Sequence, residues 1–354
     1  MARLLLWRLV RTVLAVWALA SVVFLLSHRD SDAAVQMALP ETSEQGADGP
    51  ASTPAGRLAT QRAIEQRLGL DVPLFYASRS WPAGVAQWQW HGAHNQYHRW
   101  LSRLLHADLG TSFRTGQPVA ARLGHALSFT LPLTGTAALL AVLGALALGQ
   151  RTAAGPRWQR PMRALLMGVH ALPLFMVALV LLLVFANPEV LGWFPAYGLD
   201  QPADAEVGAW SRVGVYALHM ALPVIALTVT ALPELALQLD AALVRELRTN
   251  YATTARAKGL AEGAVVRHHA LRNALLPTLT QIAELLPSLV AGAVVVEVVF
   301  ALPGMGRLLA EAAASRDYPV LVGGVLLTGA ARLLALLLAD LLYFWADPRI
   351  RWQS

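Results

Sequence analysis

Tyr251-Ala-Thr-Thr-Ala-Arg-Ala-Lys-Gly-Leu-Ala-Glu-Gly-Ala-Val-Val-Arg-His-His-Ala-Leu-Arg-Asn-Ala-Leu-Leu-Pro277 is a basic, polar, helix-breaking insert between two long apolar segments, and its reading decides the fold. The run from Asn250 to Leu260 reads as a helix, carries Arg256 and Lys258, and stops at Gly259, a residue suited to the left-handed position that closes a helix. After a turn through Glu262 and Gly263, a second helix is predicted to run to Pro277. A short capped helix of this kind on the cytoplasmic side of a membrane protein is stiff enough to carry force from a soluble partner.

The surroundings of the insert are those of a membrane protein. The chain is 56% hydrophobic and 14% charged, where a soluble domain is roughly 25% charged. Six stretches approach or reach the ~20 apolar residues that cross a ~30 Å hydrocarbon core. They run approximately Leu9 to Ser27, Phe129 to Gly149, Ala164 to Ala186, Val213 to Gln238, Gln281 to Ala301 and Val320 to Trp345. The expectation is an all-α polytopic membrane protein with six transmembrane helices. It divides into an N-terminal helix (1–28), an external loop region (29–128) and a five-helix core (129–354) that carries the insert within 240–280.

Lys and Arg in short loops stay cytoplasmic and set the orientation. Arg3, Arg8 and Arg11 open the first span, and Arg151, Arg157, Arg160 and Arg163 separate the second from the third. Arg245, Arg248, Arg256, Lys258, Arg267 and Arg272 separate the fourth from the fifth, and Arg349 and Arg351 follow the last. The loop between the third and fourth spans has Glu189, Asp200, Asp204 and Glu206 against one Arg212, so both termini are predicted to be cytoplasmic. The first span lacks a small-x-small cleavage site after its apolar run and is read as a retained helix. The net charge of +6 is divided among these loops rather than gathered on one face, which argues against nucleic acid. The absence of Cys excludes disulfides, thiolate metal sites and Cys nucleophiles.

On these residues the insert resembles the cytoplasmic coupling loop of the permease subunits of ABC importers. The pattern falls on the small residues from Ala255 to Ala257, on Gly259 and on Leu276-Pro277. Further patches follow in the same order: Leu68-Gly-Leu-Asp-Val-Pro73, Asp108-Leu-Gly-Thr-Ser-Phe-Arg-Thr-Gly-Gln-Pro118, Leu191-Gly-Trp-Phe-Pro195, Glu297-Val-Val-Phe-Ala-Leu-Pro-Gly-Met-Gly306, Arg316-Asp-Tyr-Pro319 and Asp347-Pro-Arg-Ile-Arg351. They are most similar to the dipeptide, oligopeptide and nickel branch. The resemblance implies a bacterial cytoplasmic (inner) membrane protein that imports peptides by alternating access. It also implies a second homologous permease, two ATPase subunits and a substrate-binding protein or lipoprotein as partners. No cofactor is implied on this chain; ATP and Mg belong to the ATPases. Tyr251, Thr254, Ala255, Arg256, Ala257, Lys258, Gly259 and Leu260 are the residues implied to meet them. Import of nickel or another small solute is the alternative reading, and an intramembrane enzyme a remote one.

The sequence departs from that family after the first span, where His28-Arg-Asp-Ser-Asp-Ala-Ala stands in place of a Pro-Gly-Asp-Pro turn, and between Tyr76 and Trp100, where an aromatic and His-rich segment is added. The external loop, roughly 100 residues, is long for a connector. Asp30 to Gly56 has a mobile composition, whereas Ile64, Leu68, Leu70, Trp100, Leu101, Leu104 and Leu105 suggest short helices packed on the outer face. His91, His94 and His98 stand at i, i+3 and i+7, so one helix face would hold all three as a weak metal site. No Asp, Glu or Cys accompanies them, and the Trp and Tyr content favours an interfacial platform or docking surface.

Charges inside the spans face protein or water. Arg332, Glu284 and Glu297 are the candidates for the translocation path. Arg332 either lines it or pairs with Glu234, Glu284 or Glu297, and the pair is favoured. Glu284 reads as an acid near the cytoplasmic mouth, and Asp340 as a packing partner for a basic loop residue. Pro303, Gly304 and Gly306 end the fifth span sharply, and Arg307 to Ser315 reads as an amphipathic helix at a corner that, by the resemblance, helps close the outer gate. No Gly-x-x-x-x-Gly-Lys-Ser/Thr run is present to cradle ATP, and no hydrolase motif accompanies the spans.

Overall fold

The structure, a computed structural model, describes residues 2–28, 62–63, 71–80, 87–106, 108–154, 156–196 and 209–346. The segments Asp30 to Gly56, Asp200 to Glu206 and Asp347 to Arg351 lie outside the described residues, as does the side chain of Asp340. In chain order the elements are α1 (Ala2–His28), β1 (Ala77–Ser80), β2 (Gln87–Trp90), α2 (Gln96–Leu105), α3 (Val119–Ala154), α4 (Pro156–His170), α5 (Leu174–Leu181), α6 (Ala209–Glu246), α7 (Asn250–Ala257), α8 (Glu262–Val265), α9 (Leu271–Val299), α10 (Met305–Ala314) and α11 (Tyr318–Ala346). π turns at Leu182–Ala186 and Val266–Ala270 extend α5 and join α8 to α9.

Helices form at each of the apolar stretches. Val119–Ala153 and Trp210–Glu246 are individually long and apolar enough to cross a bilayer, while Leu9–Leu25 and Tyr318–Leu334 are shorter apolar helices among the described residues. The third stretch departs from the expected straight span: Gln159–His170 and Leu174–Ala186 are bent by 94°. Pro173 causes the break. It lacks an N–H, sits extended at φ −61° and ψ 140°, and disfavours the α conformation in the residue before it. The helix expected to stop at Pro277 instead runs through Pro277 and Pro287 to Val299; proline is tolerated in a packed membrane helix whose freed carbonyls find other donors.

By contacts the chain divides into two compact units. The first comprises Met1–Leu9, Ala126–Leu308 and Ala331–Ser354. Its core is a run of small and aliphatic side chains from α3, α6 and α9, among them Ala137, Ala141, Ala226, Leu227, Leu289, Ala293 and Val296. Helix α6 packs against α9, α4 and α5. Gly144 and Gly149 of α3 lie so near Leu232 and Leu239 of α6 that an added Cβ would stand 2.5 and 2.9 Å from their side chains. Small residues let membrane helices approach where the hydrophobic effect gives no driving force.

The second unit comprises Val10–His125 and Leu309–Ala330. The region between α1 and α3, expected to be an external loop of short helices, is not purely helical: β1 and β2 form an antiparallel hairpin in which Ala77 faces Trp90 and Ser80 faces Gln87. The alternation Gln87-Trp-Gln-Trp90 has the period of a strand, and Trp favours one. Phe24 stacks on Trp100 at 4.9 Å and meets Tyr97 edge-on at 5.6 Å, with Ser21 hydrogen-bonded to the Tyr97 hydroxyl at 2.9 Å. Buried Asp317 accepts bonds from the Ser112 hydroxyl, the Phe113 N–H at 3.0 Å and Arg122 at 3.1 Å. The Asp108–Pro118 and Arg316–Pro319 patches are thereby one structure.

Candidate coupling site

Helix α7 is built as an elbow at the C-terminal end of α6. Ala252 and Ala255 are buried against Leu239, Leu243 and Leu247 of α6 and against Val265, Val266, Ala270 and Ala274 beyond the turn. Small residues are required at these two positions because the backbone of α7 lies directly on its neighbours. Its C-terminus is closed by a Schellman motif: the Gly259 N–H donates to Arg256 O at 2.9 Å and the Leu260 N–H to Ala255 O at 3.3 Å. Gly259 takes φ +80°, where a side chain costs about 1–2 kcal/mol.

The predicted coupling residues divide between two faces. Tyr251, Thr254, Ala257, Lys258, Gly259 and Leu260 are exposed, as is Thr253. Ala255 points inward. Arg256 is turned to internal use: its Nε and Nη2 reach the two carboxylate oxygens of Glu262 at 3.0 and 2.7 Å, and its Nη1 donates to Leu247 O at 2.9 Å. The Arg256 hydrogen bonds hold the Glu262 carboxyl below the usual carboxylate range. The Tyr251 hydroxyl donates to Glu246 and accepts from Asn273 Nδ2 at 3.2 Å. Burial, followed by the bond to Glu246, pushes that phenol up.

Asp240 supports the elbow from the side and was not singled out in the sequence. It is 3% exposed, accepts the Arg163 guanidinium and accepts the Thr152 hydroxyl at 3.2 Å. The ends of α3, α4 and α6 are so joined. The signal available is an acid two residues past the apolar run Val213 to Gln238 and ahead of Arg245 and Arg248, arginines that otherwise read only as markers of orientation.

At the other end of α9, Glu297 is fully buried. Its Oε1 accepts the Thr130 hydroxyl at 2.6 Å, and its Oε2 accepts the N–H groups of Gly306 at 2.7 Å and Arg307 at 3.1 Å. Thr130 in turn accepts the Met305 N–H at 2.8 Å. A carboxylate therefore satisfies the otherwise unbonded first turn of α10, the favourable end of the helix for a negative charge. Gly304 and Gly306 allow it: a Cβ would lie 2.1 Å from the Glu297 carboxyl carbon and 2.5 Å from Val294 Cα, respectively. Half-buried Pro303 precedes them.

The favoured pairing of Arg332 with an acid is not formed. Glu297 is used by the corner, Glu234, Glu284 and Arg332 are exposed, and among the described residues Arg332 takes part in no ion pair. The three histidines do not share a helix face either. His91 lies in the turn after β2 and meets Ser78 at 2.7 Å, Gly92 reverses the chain at φ +57°, and His98 lies in α2 and meets the Tyr76 hydroxyl at 3.1 Å. Buried Asn95 caps α2 through the His98 N–H at 2.7 Å, which separates His94 from that helix. Among the described residues no group of three His, Cys, Asp or Glu side chains is placed to hold a metal ion.

Comparison with known proteins agrees with this architecture. Residues 141–352 match the family described as binding-protein-dependent transport system inner membrane component. The chain is 32% identical over 329 residues to the dipeptide transport system permease protein DppB of Alkalihalophilus pseudofirmus, covering 86% of this chain and 90% of the relative. It is 35% identical over 321 residues to the probable D,D-dipeptide transport system permease protein DdpB of Escherichia coli, covering 84% and 88%. It is also 33% identical over 265 residues to the oligopeptide transport system permease protein AppB of Bacillus subtilis, covering 73% and 80%. The chain belongs to the binding-protein-dependent transport system inner membrane components, the permease subunits of ABC importers.

Proposed function

We propose that this chain is the peptide-translocating permease of such an importer, that it crosses the bacterial inner membrane six times with both termini in the cytoplasm, and that it works by alternating access with a second, similar permease. The observation that carries the reading is the elbow at α7, a capped helix seated on the end of α6 with its outer face free. Two ATPase subunits close on ATP, α7 moves with them, and because α7 cannot bend against α6 the displacement passes into the spans. Thr253, Thr254, Ala257, Lys258 and Leu260 form the face offered to the ATPase. Tyr251, Ala255, Arg256 and Gly259 hold its shape.

The peptide assignment is supported by the relatives named above, whose names specify dipeptides and oligopeptides. Exposed Glu284 and Arg332 on apolar helices are placed by the same reading against the passage or the second permease, since an ionisable side chain left toward lipid costs about 2.5–3.5 kcal/mol. Co-purification of the tagged chain from membranes, followed by ATPase assay in lipid with its binding protein and a peptide mixture, tests the proposal. Recovery of a second permease and ATPases with peptide-stimulated hydrolysis is expected. A stable solitary chain with no ATPase partner rejects it.

A further inference from the structure

We infer that Glu262 and Arg256 form a clasp that sets the angle of the coupling helix, which makes Glu262 a positioning residue for energy transfer and removes Arg256 from the ATPase-facing set. The inference rests on the coupling role proposed for α7.

Each bond of the clasp has a different geometric consequence. Arg256 lies in the last turn of α7 and Glu262 in the first turn of α8, so the fork-to-fork pair closes the turn through Gly259 from both sides. The third bond, Nη1 to Leu247 O, ties the same guanidinium to the chain just past the end of α6. One planar group thus connects all three segments that meet at the elbow. Only arginine offers donors in that arrangement; lysine presents a point charge. The two side chains are 37% and 39% exposed, and an isolated pair so exposed contributes little to stability. What the fork supplies is direction, because two parallel bonds and a third to a backbone carbonyl permit one orientation of α7. Without them, Ala252 and Ala255 still seat the helix and the Tyr251 hydroxyl still holds its first turn to Glu246 and Asn273, while opening at Gly259 is resisted by the Schellman bonds. An ATPase that pushes on Lys258 and Leu260 then turns α7 in place rather than moving α6.

The test uses the assembled transporter in lipid with its ATPases, its binding protein and a mixture of dipeptides and tripeptides, measuring peptide delivered per ATP hydrolysed. Glu262→Gln and Arg256→Lys are expected to lower that ratio about tenfold, the scale of a hydrogen bond to a charged group, with assembly and thermal midpoint unchanged. The exchange Arg256→Glu with Glu262→Arg restores the pair between α7 and α8 but not the bond to Leu247 O, so it is expected to recover part of the ratio, an effect that a general loss of stability does not produce. Gly259→Pro serves as the reference for the coupling role itself. If Gly259→Pro uncouples transport while Glu262→Gln and Arg256→Lys do not, the clasp is wrong and the coupling role stands. A loss in the single variants that the exchange fails to relieve also overturns the clasp. Wild-type ratios in every variant, Gly259→Pro included, overturn the coupling role on which it rests.

Discussion

A methyl group at Gly304 would stand 2.1 Å from the carboxyl carbon of Glu297 and within 2.4 Å of both its oxygens. The carboxylate has no room to retreat, because it is fully buried and already accepts from Thr130, Gly306 and Arg307. Gly304→Ala is therefore expected to cost at least about 3 kcal/mol, the upper range for overpacking, read as a lowered thermal midpoint in detergent. An unchanged midpoint removes the close approach from the account. The Glu262 carboxyl offers a pH prediction, since its folded value is depressed by Arg256. A depressed acid contributes stability that is present above its unfolded value, about 4.3, and lost as pH falls through the folded value. Protease resistance of the elbow in proteoliposomes should be flat from pH 8 to pH 5 and fall only below about 4. A loss already between pH 7 and 6 would take control of the elbow away from Glu262. At this scale the sequence located the glycines of the corner, since Leu-Pro-Gly-Met-Gly cannot continue a helix. It offered Glu297 as a candidate for the passage or as a partner for Arg332, and did not foresee its role in the corner. An acid in an apolar run shows that a polar partner is needed, not that the partners are backbone N–H groups nine residues on and a threonine in another helix.

Among the elements, α7 gives the clearest separation of faces. Ala255 is buried on α6 and Ala257, two residues later, is exposed. Ala255→Glu puts a carboxylate among Leu243, Leu247 and Val266, and burying such a group without a partner costs several kcal/mol. The expected result is a permease that inserts but is cleaved in the 250–265 region and fails to retain its ATPases. Ala257→Glu keeps the elbow intact and weakens only its outer contact, so the two variants should differ in proteolysis and agree in lost transport. Equal protease sensitivity contradicts the division of faces. The presence and length of this helix were legible from Gly259 and the small residues before it. Which side faces outward was not, because Ala252, Ala255 and Ala257 are the same residue and only packing distinguishes them. The hairpin was missed for a related reason: His91, His94 and His98 have helical spacing, while Trp88 and Trp90 alternate as in a strand, and Gly92 ends the competition by reversing the chain. Pro173 was within reach of sequence reasoning, yet the apolar run around it outweighed the proline, and the 94° bend followed.

For the whole molecule, the decisive property is orientation, which rests on the distribution of Arg and Lys between loops. The chain contains no cysteine, so single cysteines can be introduced without further changes and read individually. Trp88 is 73% exposed on the hairpin between α1 and α3, and Lys258 is exposed at the turn after α7. With both termini cytoplasmic, Trp88→Cys is expected to react with a membrane-impermeant maleimide in intact spheroplasts. Lys258→Cys is expected to react only after the membrane is opened. Both positions are exposed, so the labelling reports on which side of the membrane they lie. Both sites reacting from outside removes the elbow from the side where ATP is available and with it the mechanism by which α7 drives the spans. The reverse pattern inverts the topology as a whole. Reaction of Trp88→Cys alone in intact cells leaves α7 on the ATP side, where a rigid, capped helix with a free outer face can be pushed.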